Sequence, residues 1–145
     1  MITYSNEQTI NKPVDQVFRY IADPTLHPQW MPVTDVEQVT PGDVGVGTTV
    51  RIMMTMGSRR ASFTWEVTEF EPNAKVSYRT TDGPMHWDGT FTVRSRGDAA
   101  THITASGRVG LRGLMRLMEP FIRGEVRRGE ANELVRLKDL LEGGA

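Results

Sequence analysis

The feature that most constrains this chain is its C-terminal stretch, Leu111 to Glu142, LRGLMRLMEPFIRGEVRRGEANELVRLKDLLE. No other segment is long enough and periodic enough to be a major helix. From Leu114 the apolar residues Leu114, Leu117, Met118, Phe121 and Ile122 fall at helical spacing. Past Pro120 the stripe runs through Ile122, Val126, Leu134, Leu137, Leu140 and Leu141. At about 100° per residue it is rotated from the first stripe by roughly a quarter turn or more. Pro120 accounts for the offset. It lacks a backbone donor and clashes one turn back, so it bends the helix or starts a fresh one. Gly124 and Gly129 weaken the middle. Such a helix is unstable alone, so the rest of the chain must supply an apolar surface for it.

That surface reads as a sheet. Ile2 to Ile10 is a strand, with Ile2, Tyr4 and Ile10 of one parity. Pro13 suits a first helical turn and Asn11 can cap it. Val14, Val17, Phe18 and Ile21 then give a helix through Ala22, stopped by Asp23-Pro24. Leu26 to Trp30 is a second short helix and Val33 to Val39 a short strand, followed by a turn-rich connection through Pro41-Gly42 and Gly45-Val46-Gly47. From Thr48 the chain alternates as an antiparallel meander. The apolar parity runs Val50, Ile52, Met54, Met56; Ala61, Phe63, Trp65, Val67; Val76, Tyr78, Thr80; Met85, Trp87, Gly89, Phe91, Val93; and Ile103, Ala105, Gly107, Val109. Turn signals at Gly57-Ser58, Glu71-Pro72-Asn73, Asp82-Gly83-Pro84 and Gly97-Asp98 separate the runs. One apolar face per strand means one face is buried and one is wet. The expectation is an α+β fold. A curved antiparallel sheet of about seven strands wraps a long C-terminal helix, with two short helices after the first strand.

With 145 residues the natural domain count is one, spanning 1–145. A formal net charge of -1 gives no global electrostatic case for nucleic acid or an anionic membrane. The absence of cysteine removes disulfides, thiolate metal sites and cysteine nucleophiles, and fits a reducing cytoplasm. The N-terminus has neither a basic region nor an apolar run, and no stretch approaches the ~20 apolar residues of a membrane span. Gly42 to Gly47 lacks the lysine and hydroxyl residue of a phosphate loop.

The order and spacing of several short motifs carry a resemblance. They are Ile10-x-x-Pro13-Val14-x-x-Val17-Phe18, Asp23-Pro24 with Pro28-x-Trp30-x-Pro32-Val33, and Gly42-x-x-Gly45-x-Gly47-Thr48. Trp65-x-Val67-x-x-Phe70-Glu71-Pro72 and the terminal Leu137-Lys138-x-x-Leu141-Glu142 complete the set. The whole chain resembles the START-related (SRPBCC-type) superfamily, which includes birch-pollen-type allergens and the polyketide cyclase/dehydrase and lipid-transport proteins. The resemblance implies a helix-grip fold that holds an apolar ligand between sheet and helix. It is nearly silent about activity.

The residues give a cavity independent support. Inward positions mix bulky Trp65, Trp87, Phe63 and Phe91 with small Ala61, Gly89, Ala105 and Gly107, and a helix with Gly124 and Gly129 adds little bulk. Methionines at 53, 54, 56, 85, 115 and 118 suit an adaptable apolar pocket. The expected ligand-facing set is Trp30, Ile52, Met54, Phe63, Trp65, Tyr78, Trp87, Phe91, Ile103, Ala105, Met118, Ile122 and Val126. The competing reading is that these residues simply fill a core. Candidates for acid–base work are weak. Glu133 falls within the second stripe, either facing the cavity with a raised pKa or lying at its wet edge. Tyr78 offers a hydroxyl to a ligand or a wet tip to solvent. His27 sits either at the cavity mouth or on a surface loop. His86 and Asp88 flank Trp87 and so lie outside if Trp87 points in, and the histidines show no metal-ligand spacing. Arginines 112, 116, 123, 127, 128 and 136 interleave with glutamates 119, 125, 130 and 133, which reads as a salt-bridged outer face. No metal or cofactor is implied.

Three functions follow. The first is a binder or carrier of a small hydrophobic molecule (a lipid, polyketide or aromatic metabolite), acting as a monomer or weak dimer. The second is a cyclase, dehydratase or aromatase on the same scaffold. The third is an interaction module of co-chaperone type, which requires an exposed apolar patch on the sheet's outer face.

Overall fold

Side-chain alternation along the chain sets the sheet, and the runs that alternate are its strands. The computed structural model describes residues 1–56 and 58–143. Seven strands form one sheet: β1 (Ile2–Ile10), β2 (Val33–Gln38), β3 (Thr49–Met56), β4 (Arg59–Glu71), β5 (Lys75–Asp82), β6 (Met85–Ser95) and β7 (Thr101–Leu111). Their order is β1-β7-β6-β5-β4-β3-β2, with every neighbouring pair antiparallel. The β3–β4 turn has Gly57 outside the described residues. Helix α1 (Val14–Ala22) and a 3-10 turn (Pro24–Gln29) follow β1. Pro13 precedes α1 and Asn11 does not cap it. The Asn11 backbone N–H instead donates to Glu142 Oε2 at 2.9 Å.

The C-terminal stretch divides at its proline. A 3-10 turn covers Gly113–Met118, and α2 begins afresh at Glu119 and runs to Gly143. Pro120 thus sits in the first turn of α2, where its missing donor costs nothing. This is a helix-grip α+β fold: α2 lies along β1 and β7 and crosses the open side of the sheet. Its last half buries Leu134, Leu137 and Leu141 in the main core, and Ile122 and Val126 pack half-buried against Ile2, Tyr4 and Val109. The first apolar stripe, Ile122 apart, is not buried. Leu114 is 87% exposed, Leu117 73% and Phe121 80%. No helix among the described residues is long and apolar enough to cross a membrane.

The concave face is filled chiefly by aromatic rings. Trp65 and Trp87 approach at 4.8 Å between ring centroids, Tyr78 stacks on Trp87 at 5.9 Å, and Trp30 meets Phe91 edge-on at 5.7 Å. The small inward residues do not leave space, as the sequence suggests they would. The Trp87 ring lies directly over Gly89, on the spot a Cβ would need. At Gly107 the Cβ position is taken by the Asp88 backbone carbonyl oxygen and by Tyr4, whose hydroxyl lies 2.7 Å from it. Gly124 and Gly129 are exposed on the outer side of α2 and shape nothing inside. Gly89→Ala is therefore expected to displace Trp87 and destabilise the fold by about 1–3 kcal/mol, read from the urea midpoint together with a change in tryptophan emission. A silent Gly89→Ala would show that the ring has another seat.

Candidate functional site

What remains open inside the grip is a cavity of about 60 Å³ between the sheet and the middle of α2. Strands contribute Met54 from β3, Phe63 and Trp65 from β4, Met85 and Trp87 from β6, and Val109 from β7. Met31 closes it from the segment after the 3-10 turn, and Glu130 and Glu133 face it from α2. The volume suits a few waters or a small fragment. Pockets for drug-sized ligands run to roughly 300–1,000 Å³. Three of the nine lining residues are methionines, whose unbranched side chains can yield to a larger guest.

The sequence-derived ligand set thus divides into four groups. Met54, Phe63, Trp65 and Trp87 line the cavity. Trp30, Ile52, Tyr78, Phe91, Ile103 and Ala105 belong to the solid core around it. Ile122 and Val126 pack against the cluster of Ile2, Tyr4 and Val109. Met118 is exposed on the 3-10 turn and does not line this cavity, because α2 starts only after it. Met31, Met85, Val109 and Glu130 line the cavity without belonging to that set. Glu130 has a legible signal: residues 130, 133, 134 and 137 share one side of a 3.6-residue helix.

The two glutamates are the polar feature of an otherwise apolar wall. They are one turn apart, and each keeps part of its surface open toward the cavity while surrounding protein removes water from the carboxyl. Burial raises the pKa of Glu133 well above the carboxylate range, the neighbouring Glu130 charge raises it further, and Arg136 opposes weakly. Burial also raises Glu130, with the Glu133 carboxyl beside it opposing. Both carboxyls are thus shifted toward the protonated form relative to a free carboxylate, Glu133 the more strongly, because two like charges share one dry site. Beside them Tyr4 accepts a 2.7 Å hydrogen bond from Trp87 Nε1. Burial first, then the Glu130 charge, keeps its phenol protonated.

His27 and Tyr78 are placed differently from expectation. His27 is neither on a surface loop nor at a cavity mouth. It is fully buried, with Nε2 donating to the Ile21 carbonyl at 3.1 Å and the ring edge-on to Trp30 and Tyr78. Tyr78 has no wet tip, and its hydroxyl donates to the same carbonyl at 2.6 Å. That carbonyl ends α1, so both rings serve as caps for α1 within the core. His86 and Asp88 do lie on the outer face, 2.9 Å apart, with Arg108 also on Asp88 at 3.2 Å. No group of three or more potential metal ligands occurs among the described residues. The sheet's outer groove is polar, lined by residues such as Thr68, Glu69, Ser77 and Arg79.

These placements fix two pH effects of opposite sign. Burial pushes the His27 pKa down to about 4 from an ordinary 6.5, so the unfolded chain binds its proton first. Stability contributed by neutral His27 is full above pH 6.5 and falls by roughly 3 kcal/mol as the pH drops toward 4. The His27→Phe variant is expected to lose that slope, measured as the difference in urea-unfolding free energy from wild type across the window. Glu133 acts the other way, its contribution being full below the ordinary 4.5 and lost as pH rises through the raised value. Glu133→Gln should accordingly stabilise the protein at neutral pH by about 1–2 kcal/mol while changing little in acid, as followed by thermal unfolding. Equal stability of the two proteins at neutral pH would place Glu133 in water.

A family model described as polyketide cyclase/dehydrase and lipid transport matches residues 1–142. None of the curated proteins compared matches the chain. Among solved structures, a START superfamily protein from Mycobacterium smegmatis aligns with a TM-score of 0.84 at 13% identity, covering 99% of each chain. The protein TTHA0849 from Thermus thermophilus aligns at 0.81 and 17% identity, again over 99% of both chains. The ZhuI aromatase/cyclase from Streptomyces sp. R1128 aligns at 0.71 and 18% identity, over 99% of this chain and 98% of that one. At these identities the likeness is one of fold.

Proposed function

Since the chain belongs to the polyketide cyclase/dehydrase and lipid transport family, we propose that it binds a small, largely apolar molecule of one or two rings between α2 and the concave sheet. The composition of the cavity wall carries this reading: tryptophans, phenylalanine, valine and three methionines around a single pair of carboxyls. Affinity comes from apolar burial, at ~25 cal/mol per Å² before the cost of ordering the ligand. Orientation comes from the Glu130 and Glu133 carboxyls, whose burial favours the protonated form and so a donor to a ligand carbonyl or hydroxyl. Growth of the site to ligand size proceeds through rotamer changes of Met31, Met54 and Met85, which are cheaper than moving the stacked rings behind them.

A catalytic reading on the same cavity is favoured by one observation, the two neighbouring carboxyls in its wall. A carboxylic acid and a carboxylate one helical turn apart can protonate a carbonyl oxygen and accept a proton from carbon, as an aldol-type cyclisation followed by dehydration needs. The ZhuI aromatase/cyclase shares the fold, which makes such chemistry worth testing here. The co-chaperone reading has less support, because the outer sheet groove is lined by polar and charged residues.

One experiment separates the readings. Binding of a library of cyclic ketones, phenols and aromatic acids is followed by tryptophan quenching and ligand-observed NMR. Met54→Trp fills the cavity and is expected to weaken a hit by about tenfold or more with an unchanged circular dichroism spectrum. Glu133→Gln should keep most of the binding of a simple carrier, and in an enzyme should cut turnover by roughly 10²-fold or more. Hits that bind equally well to Met54→Trp would remove the cavity from consideration.

A further inference from the structure

The segment that leaves β7 and enters α2 is built unlike the rest of the surface. Leu114, Met115, Leu117, Met118 and Phe121 are all exposed within one short stretch. Elsewhere among the described residues the large exposed apolar side chains are scattered singly along the chain, which is ordinary, whereas a contiguous patch marks an interaction site. The charges around it are equally uneven. The whole chain carries a formal net charge of -1, yet Arg112 to Arg128 holds five arginines against Glu119 and Glu125.

The interleaved acids form no ion pair with those arginines among the described residues, contrary to the expectation of a salt-bridged face. Glu119 is occupied by the Met1 ammonium at 2.8 Å and by the Leu111 backbone N–H at 3.0 Å. Glu130 and Glu133 face the cavity, and Arg127 donates to the Thr3 carbonyl at 2.9 Å. Arg112, Arg116, Arg123 and Arg128 make no ion pair among the described residues, and all four are exposed.

We propose that the Leu114–Phe121 segment is a docking surface for an anionic phospholipid membrane. Leucine, methionine and phenylalanine side chains enter the boundary between headgroups and acyl chains, and the surrounding arginines hold lipid phosphates. Charge decides between this occupant and a second copy of the chain: two such patches facing each other would bring like-charged arginine rims together. The location adds a use. Leu111, at the C-terminal end of β7 just before the segment, pairs with Met85 in the sheet, and Met85 lines the cavity. Docking would set that end of the grip against lipid. The proposal itself stands on the patch and not on the cavity's contents.

The test is co-sedimentation of the full chain with vesicles of phosphatidylcholine alone and of phosphatidylcholine mixed with phosphatidylglycerol. Binding is expected only to the mixed vesicles and should weaken as salt rises. Arg116→Gln and Arg123→Gln should each weaken it roughly fivefold, and Leu117→Ser combined with Phe121→Ser roughly tenfold or more. All four side chains are exposed, so unchanged thermal unfolding serves as the folding control. Absence of binding to mixed vesicles at low salt overturns the proposal. So does binding that ignores the arginine variants. Sedimentation equilibrium supplies the rival outcome: a dimer abolished by the double serine variant, with no vesicle binding, would assign the patch to self-association.

Discussion

The structure depends on how α2 is fastened to the open edge of β1. An edge strand presents unpaired carbonyls and amides, and leaving them bare invites aggregation. Here charged side chains of α2 meet them. Arg127 donates to the Thr3 carbonyl and Lys138 to the Thr9 carbonyl at 2.5 Å, while Glu142 accepts from the Asn11 N–H. Arg136 adds a 3.1 Å bond to the Trp30 carbonyl, and Glu119 gathers the Met1 ammonium and the Leu111 N–H. The helix therefore needs only a narrow apolar contact, which is why Leu134, Leu137 and Leu141 suffice as its buried residues.

That fastening explains what is legible in the sequence and what is hidden there. Strand alternation is a local, period-two property, and it places the seven strands and their buried parity without knowledge of the whole. The helix cannot be treated in the same way. By apolar periodicity alone, Leu114 to Phe121 looks like the face that seeks the core. The core contact is actually made further on, and the attachment runs through arginine, lysine and glutamate, residues that periodicity assigns to solvent. Pro120 does signal a fresh start, and the break there frees the preceding apolar residues to point outward.

The size of the cavity is hidden for a different reason. Inward glycines read as missing volume when each strand is considered alone. Across strands they are seats: Gly89 receives the Trp87 ring from its own strand, and Gly107 receives Tyr4 from the neighbouring β1. Packing of rings onto backbone cannot be seen from the count of large and small residues, because it depends on rotamers. Burial of His27 is hidden for a related reason, since nothing in the sequence around Pro28 announces that the Ile21 carbonyl will need two donors.

Glu130 and Glu133 are the residues that the needs of the fold do not account for. Neither holds α2 to the sheet, and no ion pair among the described residues involves either of them. Their burial raises both pKa values, so the folded state carries a cost in protonation or in desolvated charge. Apolar side chains there would pack against Trp65 and Trp87 at no such cost. Tyr78 and Thr101 show the usual role of a buried polar group here, as a cap or a tie between elements, whereas these two carboxyls stand in the wall of the cavity. Departures of this kind concentrate where a protein meets a ligand. The acid pair is thus the strongest structural argument that the cavity has an occupant, and the occupant's polar atom should fall within reach of Glu133.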